Sequence, residues 1–296
     1  MTKIILIGGS GFVGKSLLPK LLSENFHVKA LVHKTKIEYP VEKFYGDISI
    51  QDSLNNQIND DDIIINLSGQ YEDNLSKFID TNIIGGLNLL NSCILKKNIR
   101  IILVSSISVY GENIERPSKE DDMPKPSTMY GLVKLATERM YLYYSKRYGL
   151  DITVLRLSTI YGPLKQTGYI VKLIKSIRNN QTTVAYNNGQ QIRDLLYVND
   201  AIKGIIQVIK NPQSGFMIFN ISSGEQYTVN TIIGIIEKLS NKKPSVTMSS
   251  QIPDERCLSA DNSLAKKILG FLPETKIEDG LKATMEHLIQ NSQESS

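Results

Sequence analysis

Sulfur and imidazole are scarce in this sequence. Two cysteines, Cys93 and Cys257, and three histidines, His27, His33 and His287, are all that 296 residues contain. Neither cysteine has a partner at metal-ligand spacing, so each reads as a packed or surface thiol and no metal is expected. So few histidines leave little material for a zinc centre or a Ser-His-Asp hydrolase, and no G-x-S-x-G elbow occurs. No apolar run approaches the roughly 20 residues that a membrane helix needs. Basic blocks are missing too: the net charge is only +4 and the lysines are scattered, which does not imply nucleic-acid binding. There is no internal repeat and no low-complexity segment. The first residues read as a strand rather than as a leader peptide, so a reducing, cytoplasmic setting is the default expectation.

Apolar residues make up 41% of the chain, enough to bury a core. The stretch that organises it is Lys3–Lys15, KIILIGGSGFVGK. The apolar run Ile4–Ile7 ends in Gly8, Gly11 and Gly14 follow at three-residue steps, and Phe12, Val13, Leu17 and Leu18 begin a helical pattern. Strand, tight turn and helix ask for glycine three times. Gly8 turns the chain off the strand, Gly11 lets backbone approach a pyrophosphate, and Gly14 lets helix and strand pack closely. The free N–H groups and dipole of the helix N-terminus then hold an anion.

A second strand, His27–Val32, follows a helix that carries Pro19. A carboxylate at that strand's end would bind the adenosine ribose hydroxyls of NAD. Instead the chain runs into His33, Lys34 and Lys36, cations that suit a 2′-phosphate as well as a solvated loop. Lys43–Ile48 reads as the third strand, containing Gly46-Asp47, and Ile63–Leu67 as the fourth, followed by Ser68-Gly69. Lys77–Lys97 reads as a long helix with Asn82 among apolar neighbours. Ile99–Val104 is the fifth strand and leads into Ser105, Ser106, Ile107, Ser108, Val109, Tyr110 and Gly111. A helix from near Ser127 carries Tyr130 and Lys134, and Ile152–Leu157 is the sixth strand. This alternation predicts an α/β fold, a doubly wound parallel sheet over residues 1–165. From 166 to 296 the pattern changes to helices near Val171–Ser176, Val198–Ile209, Val229–Leu239 and Ile277–Leu288, with short strands at Thr183–Tyr186 and Phe216–Ile221. This half is expected to be mainly a smaller substrate domain, with some segments returning to the first.

Tyr130 and Lys134 lie four apart, hence on one helix face. A phenol of ordinary pKa near 10 is a poor acid–base group at neutral pH, and a nearby ammonium lowers that value. Ser106, at a neighbouring strand end, can hydrogen-bond an oxygen that becomes a carbonyl. Together they suit hydride transfer coupled to a proton.

In that order these motifs resemble an extended short-chain dehydrogenase/reductase of the NAD-dependent epimerase/dehydratase family. Asn82, Ser105–Gly111, Tyr130–Lys134, Arg156 with Tyr161-Gly162-Pro163, Arg193-Asp194, Asn220–Gly224 and Leu269-Gly270-Phe271 carry the likeness. The resemblance implies Ser106, Tyr130 and Lys134 as catalytic residues. It implies a cofactor wall of Gly8, Gly11, Phe12, Val13, Gly14, His33, Lys34, Asp47, Ile48, Leu67, Ser68, Gly69, Asn82 and Ser105, besides Tyr130 and Lys134. Ser106, Ser108, Tyr130, Arg193 and Arg256 would face a nucleoside-diphosphate sugar. Dehydratase members carry Asp-Glu where Ile107-Ser108 stands, which disfavours 4,6-dehydration. The loop after Pro163 also departs from the family pattern, lacking its usual asparagine. The expected chemistry is redox at C4 of the sugar, with a 4-keto-sugar reductase using NADP favoured over a 4-epimerase that holds NAD. A non-catalytic dinucleotide sensor is the remoter reading. A homodimer through Lys77–Lys97 and Ser127–Tyr148 is expected from relatives, with Tyr141, Tyr143, Tyr144 and Tyr148 serving either the interface or the core.

Overall fold

Four of the five residues in β1 (Lys3–Ile7) are buried. Ile4 and Leu6 pack on one face of the sheet, Ile5 and Ile7 on the other. A parallel strand covered by helices on both sides requires that double-faced apolar run. In chain order there follow α1 (Phe12–Ser23), β2 (His27–Val32), β3 (Glu42–Tyr45), β4 (Ile63–Asn66), α2 (Leu75–Ile79), a π-helical turn (Asp80–Ile84), α3 (Gly85–Cys93), β5 (Arg100–Ser106), α4 (Met129–Tyr148), β6 (Asp151–Leu157) and β7 (Thr159–Tyr161). The second half contributes α5 (Tyr169–Asn179), β8 (Thr183–Ala185), β9 (Ile192–Arg193), β10 (Leu195–Tyr197), α6 (Val198–Lys210), β11 (Phe216–Ile221), β12 (Tyr227–Thr228), α7 (Val229–Ser240), β13 (Val246–Met248), β14 (Cys257–Leu258), α8 (Ser263–Leu269) and α9 (Ile277–Gln293). The computed structural model describes residues 3–69, 74–113, 115–179, 182–251 and 257–293.

The main sheet has seven parallel strands in the order β11-β6-β5-β4-β1-β2-β3. The winding reverses between β1 and β4, so a crevice opens there at the carboxyl ends of the strands, where such sheets bind ligands. One face of the sheet is covered by α1, α6 and α8, with Leu17, Leu18, Ile202, Ile205 and Leu269 in that layer. The other is covered by α3 and α4 through Leu89, Leu90, Tyr141 and Tyr144. A third apolar cluster joins α5, α7 and α9 through Leu173, Ile232, Ile236 and Leu281. Small sheets accompany it: β10 with β7, β9 between β12 and β14, and β13 with β8.

Several elements differ from the sequence reading for physical reasons. Phe216–Ile221, read among the smaller domain's strands, pairs in register with β6 and forms the seventh strand of the main sheet. The third strand stops at Tyr45, because Ser49 N–H and Oγ–H both close onto the Asp47 carboxylate and turn the chain away. The fifth strand is longer, since Ser105 and Ser106 stay in register with Arg156 and Leu157. The long helix runs Leu75–Cys93 rather than Lys77–Lys97 and is widened in its middle by the π-turn. Helix α4 starts at Met129, where the Thr128 hydroxyl accepts from Gly131 N–H, and ends at Gly149 in the left-handed conformation.

One buried ion pair ties the sheet to α4. Arg156 on β6 donates to Glu138 on α4, Nη2 to Oε2 at 2.7 Å, and both side chains are almost wholly buried. Ser105 Oγ donates to the same carboxylate at 2.5 Å, and the guanidinium lies 4.6 Å from the Tyr110 ring centroid. Tyr110 in turn donates to Asn220 on β11 at 2.7 Å. Arg156→Met would strand the Glu138 charge, and stability should fall by about 3–5 kcal/mol. Chemical denaturation measures this; a loss below about 1 kcal/mol would show that the pair is not a structural tie.

Candidate active site

The turn after β1 leaves no room for side chains. Gly8 has φ +81, and a Cβ there would sit 2.9 Å from the Leu67 carbonyl carbon. A Cβ on Gly14 would lie 2.4 Å from the Gly8 carbonyl oxygen. Gly11 is the N-cap of α1 and supplies no side-chain acceptor, so the first N–H groups of α1 are open to an external anion. Residues Gly8, Gly11, Phe12, Val13 and Gly14 all line a cavity of about 770 Å³ at the reversal point of the sheet. A turn packed so tightly that Gly8 and Gly14 tolerate no Cβ, at an uncapped helix N-terminus, fits a dinucleotide's diphosphate.

The neighbouring strand end is held by Asn66, 3% exposed at the end of β4. Its carbonyl accepts from Ser68 N–H at 3.0 Å and from Ser68 Oγ–H at 2.6 Å, and its amide donates to Tyr141 Oη at 3.0 Å. Leu67, Ser68 and Gly69 are thereby fixed on the cavity wall. Lys134 reaches up from α4 beneath them. Its ammonium donates to the Ser68 and Val104 carbonyls, both at 3.4 Å. Burial pushes this ammonium from its ordinary 10.5 down to about 8, against an opposing pull from Glu138.

One helical turn before Lys134, the Tyr130 ring stacks on Phe78, with centroids 5.5 Å apart and planes 18° apart. Ser106, at the end of β5, caps the short 3-10 turn Ile107–Val109: its Oγ accepts from Ser108 N–H at 3.2 Å and donates to Ser108 Oγ at 3.3 Å. Ser106, Ser108, Tyr130 and Lys134 line the same cavity as the glycine turn. Ile107 joins Val109, Tyr110 and Leu258 in a small apolar cluster.

His33, Lys34, Asp47 and Ile48 also line the cavity. The His33 imidazole is turned to Asp47, Nε2 to Oδ2 at 3.3 Å. Burial opposes the charge on Asp47, but hydrogen bonds from Ser49 and the charges of His33 and Lys34 outweigh it and hold the carboxyl below its usual range. Arg193 lies on the far side, its Nη1 donating to the Ile192 carbonyl at 2.8 Å. Ser105 is on the wall too, but its hydroxyl is engaged by Glu138. Asn82 stands behind the wall: its amide donates to the Phe78 carbonyl at 2.8 Å, and a Cβ on Gly69 would fall 2.1 Å from its Oδ1. Arg256 lies outside the described residues. Among the described residues no cluster of three or more His, Cys, Asp or Glu is arranged to hold a metal. Likewise no helix among them is long and apolar enough to cross a membrane.

A sequence model of the NAD dependent epimerase/dehydratase family matches residues 4–222. The chain belongs to that family. It is similar to a UDP-glucuronate 4-epimerase of Thermodesulfobacterium geofontis, 34% identical over 215 residues that span 70% of this chain and 65% of the relative. An uncharacterized UDP-glucose epimerase of Bacillus subtilis is 26% identical over 97% of this chain and 98% of its own length. Among solved structures, the UDP-glucuronic acid 4-epimerase of Bacillus cereus in complex with UDP-glucuronic acid and NAD superposes with a TM-score of 0.88 at 26% identity. That superposition covers 98% of this chain and 100% of the other. The lean to NADP drawn from His33 and Lys34 finds no support in these relatives.

Three neighbours of the site were not singled out from sequence. Glu138 was detectable, since it extends the four-residue spacing of Tyr130 and Lys134 by one more turn. Asn66 and Phe78 were not, because only the fold brings Asn66 to Tyr141 and Phe78 to Tyr130. The buried ammonium has a measurable consequence. Between about pH 8 and 10.5 the unfolded chain binds at Lys134 a proton that the folded chain has lost, so the contribution of this group to stability rises with pH through that window, against the opposite contribution of buried groups such as Cys93. The full span is on the order of 3 kcal/mol. Lys134→Met should flatten this slope in the dinucleotide-free protein and leave stability at pH 7.5 equal or higher. Urea unfolding across that range reads the difference; parallel curves for the two proteins would disprove it.

Proposed function

We propose that the chain is an NAD-dependent 4-epimerase of nucleoside-diphosphate sugars, with UDP-sugars as its substrate class. The observation that carries the reading is the shared cavity. Ser106, Tyr130 and Lys134, far apart in the sequence, line it together with the diphosphate cradle at Gly8–Gly14. In this reading the Tyr130 phenol exchanges a proton with the sugar's C4 hydroxyl. The Lys134 ammonium favours the phenolate, and the Ser106 hydroxyl donates to the C4 oxygen as it gains carbonyl character. NAD, when bound, would supply the hydride acceptor and donor of this chemistry at its nicotinamide ring. Gly8, Gly11 and Gly14 would hold its diphosphate, with Lys134 at the ribose and Asp47 at the adenine amino group. Arg193 would meet the diphosphate of the sugar nucleotide.

The reductase favoured by the sequence gives way here to the epimerase. Relatives named as epimerases match over nearly the whole chain, and a structural neighbour holds NAD with a UDP-sugar. The turn of His33 toward Asp47 also weakens the case for a 2′-phosphate, because the Asp47 carboxylate would face that dianion. Where dehydratases of the family carry an acid, Ile107 lies in an apolar cluster.

A homodimer belongs to the same reading. Tyr141 and Tyr144 are core residues, bonded to Asn66 and Asn91. Tyr143, Leu132 and Met129 on α4 and Ile84 in the π-turn are exposed apolar groups, which suit a helical interface. Two buried free cysteines agree with a reducing, cytoplasmic setting.

Incubation of the purified protein with UDP-glucose and UDP-glucuronate, without added cofactor, should yield the C4 epimer of one of them by NMR. Acid should release NAD rather than NADP from the protein. Tyr130→Phe should cut turnover by about 10²–10⁴-fold. Consumption of added NADPH by a 4-keto sugar nucleotide, with no epimer formed, would return the reading to the reductase. An unaffected Tyr130→Phe enzyme would end the catalytic assignment. Light scattering should give twice the chain mass of 33.2 kDa; a monomer would refute the interface.

A further inference from the structure

The loop between β7 and α5 bends sharply inward. Within seven residues Gly162 has φ +151, Leu164 +67 and Gly168 +107. The left-handed region is rare for a bulky residue such as leucine, and residues held there cluster at ligand clamps. At Leu164 its effect is to carry the next residue, Lys165, over the cavity. The Lys165 ammonium lies 5.0 Å from the ring centroid of Phe12, the first residue of α1. Its stem passes Gly168, where a Cβ would come within 3.6 Å of Lys165 Cε.

Lys165 is half-buried and lines the same cavity as the glycine turn. Among the described residues no carboxylate lies within ion-pair distance of it. Burial alone lowers its pKa. The other cations on the wall are placed differently. Lys134 is bonded to two carbonyls, Arg193 to one, and Lys34 and Lys77 are exposed. A desolvated cation on an aromatic face, beside an uncapped helix N-terminus, lacks the counter-charge that burial demands.

We propose that Lys165 is an anion-binding residue that closes over a diphosphate at the N-terminus of α1, the strained Leu164 bend serving to aim it. The proposal rests on the dinucleotide reading of the cavity and adds to it a ligand contact from the loop that departs from the family pattern. Two molecules in this reading bring a diphosphate, and they differ in the groups attached. ADP-ribose presents the dinucleotide's diphosphate without nicotinamide, and UDP presents that of the sugar nucleotide.

Titration calorimetry of the full-length, dinucleotide-stripped protein distinguishes them. Lys165→Met, which keeps the stem over Phe12, should weaken ADP-ribose by about tenfold to a hundredfold, the worth of one charge-assisted hydrogen bond. Lys165→Arg should stay within a few-fold of the parent, which a purely packing role would not require. The same loss on UDP with ADP-ribose unchanged would support the anion site and assign it to the sugar nucleotide. Unchanged affinity for both ligands in Lys165→Met would overturn the proposal while leaving the dinucleotide site standing. Failure of the parent protein to bind NAD or ADP-ribose at all would instead remove the reading beneath it. Thermal unfolding of both variants, expected to match the parent without ligand, excludes misfolding as the cause.

Discussion

An ammonium held away from water is the constraint on which this site depends. Lys134 sits beneath the ends of β4 and β5, bonded to backbone carbonyls at 3.4 Å, and burial works against its charge. Glu138, one turn further along α4, works in the opposite direction. That carboxylate would itself be too costly to bury without Arg156 and the Ser105 hydroxyl. The guanidinium is then covered by the Tyr110 ring, whose hydroxyl is anchored on β11. A chain of polar contacts therefore runs from the seventh strand to the cavity, and each link accounts for the next. A buried ammonium one turn from a tyrosine favours its phenolate, as the proton exchange proposed for Tyr130 requires.

The sequence revealed most where a residue type is the only one that fits a position. Gly8 and Gly14 are such cases: a Cβ at either meets backbone at 2.9 Å and 2.4 Å, so the turn is written in composition. β2 is legible for a similar reason, since four of the five positions that the sheet buries in HVKALV are apolar and the fifth, Lys29, pairs with Glu42. The pair Tyr130 and Lys134 is legible by spacing, because four residues on a helix always share a face. What stayed hidden depends on partners remote in sequence. The π-turn around Asn82 is invisible locally; its amide satisfies the Phe78 carbonyl, and Gly69, which tolerates no side chain there, lies against it. Phe216–Ile221 reads as any short apolar strand until β6 provides its register.

Cofactor choice illustrates the same limit. Read along the chain, His33 and Lys34 are two cations after a strand, and cations attract a 2′-phosphate. In the fold, β3 brings Asp47 beside them. Its carboxylate, held below its usual range by hydrogen bonds from Ser49 and the positive charge beside it, sets an opposing charge at a basic strand end. Charge counted by segment leaves the cofactor open here because the opposing charge arrives from a neighbouring strand end.

The cavity is walled by elements that belong to different layers. The glycine turn, Ser68 and Ser106 stand on strand ends of a sheet covered on both sides, where the backbone is most firmly held. Lys165, Tyr169 and Arg193 come from the segments around the third apolar cluster, outside that sheet. The groups proposed to meet the reacting atoms therefore sit on the main sheet and on α4 packed against it. Groups that meet the variable part of a ligand sit on loops with positive φ and small two- or three-stranded sheets. The glycine turn and the Tyr-Lys spacing were recognisable because local geometry fixes them, whereas the loop after Pro163 is shaped by contacts remote in sequence, such as that of Lys165 with Phe12. In the proposed reading, the sugar nucleotide would then be told apart by residues outside the main sheet, such as Arg193, and not by the Tyr-Lys pair.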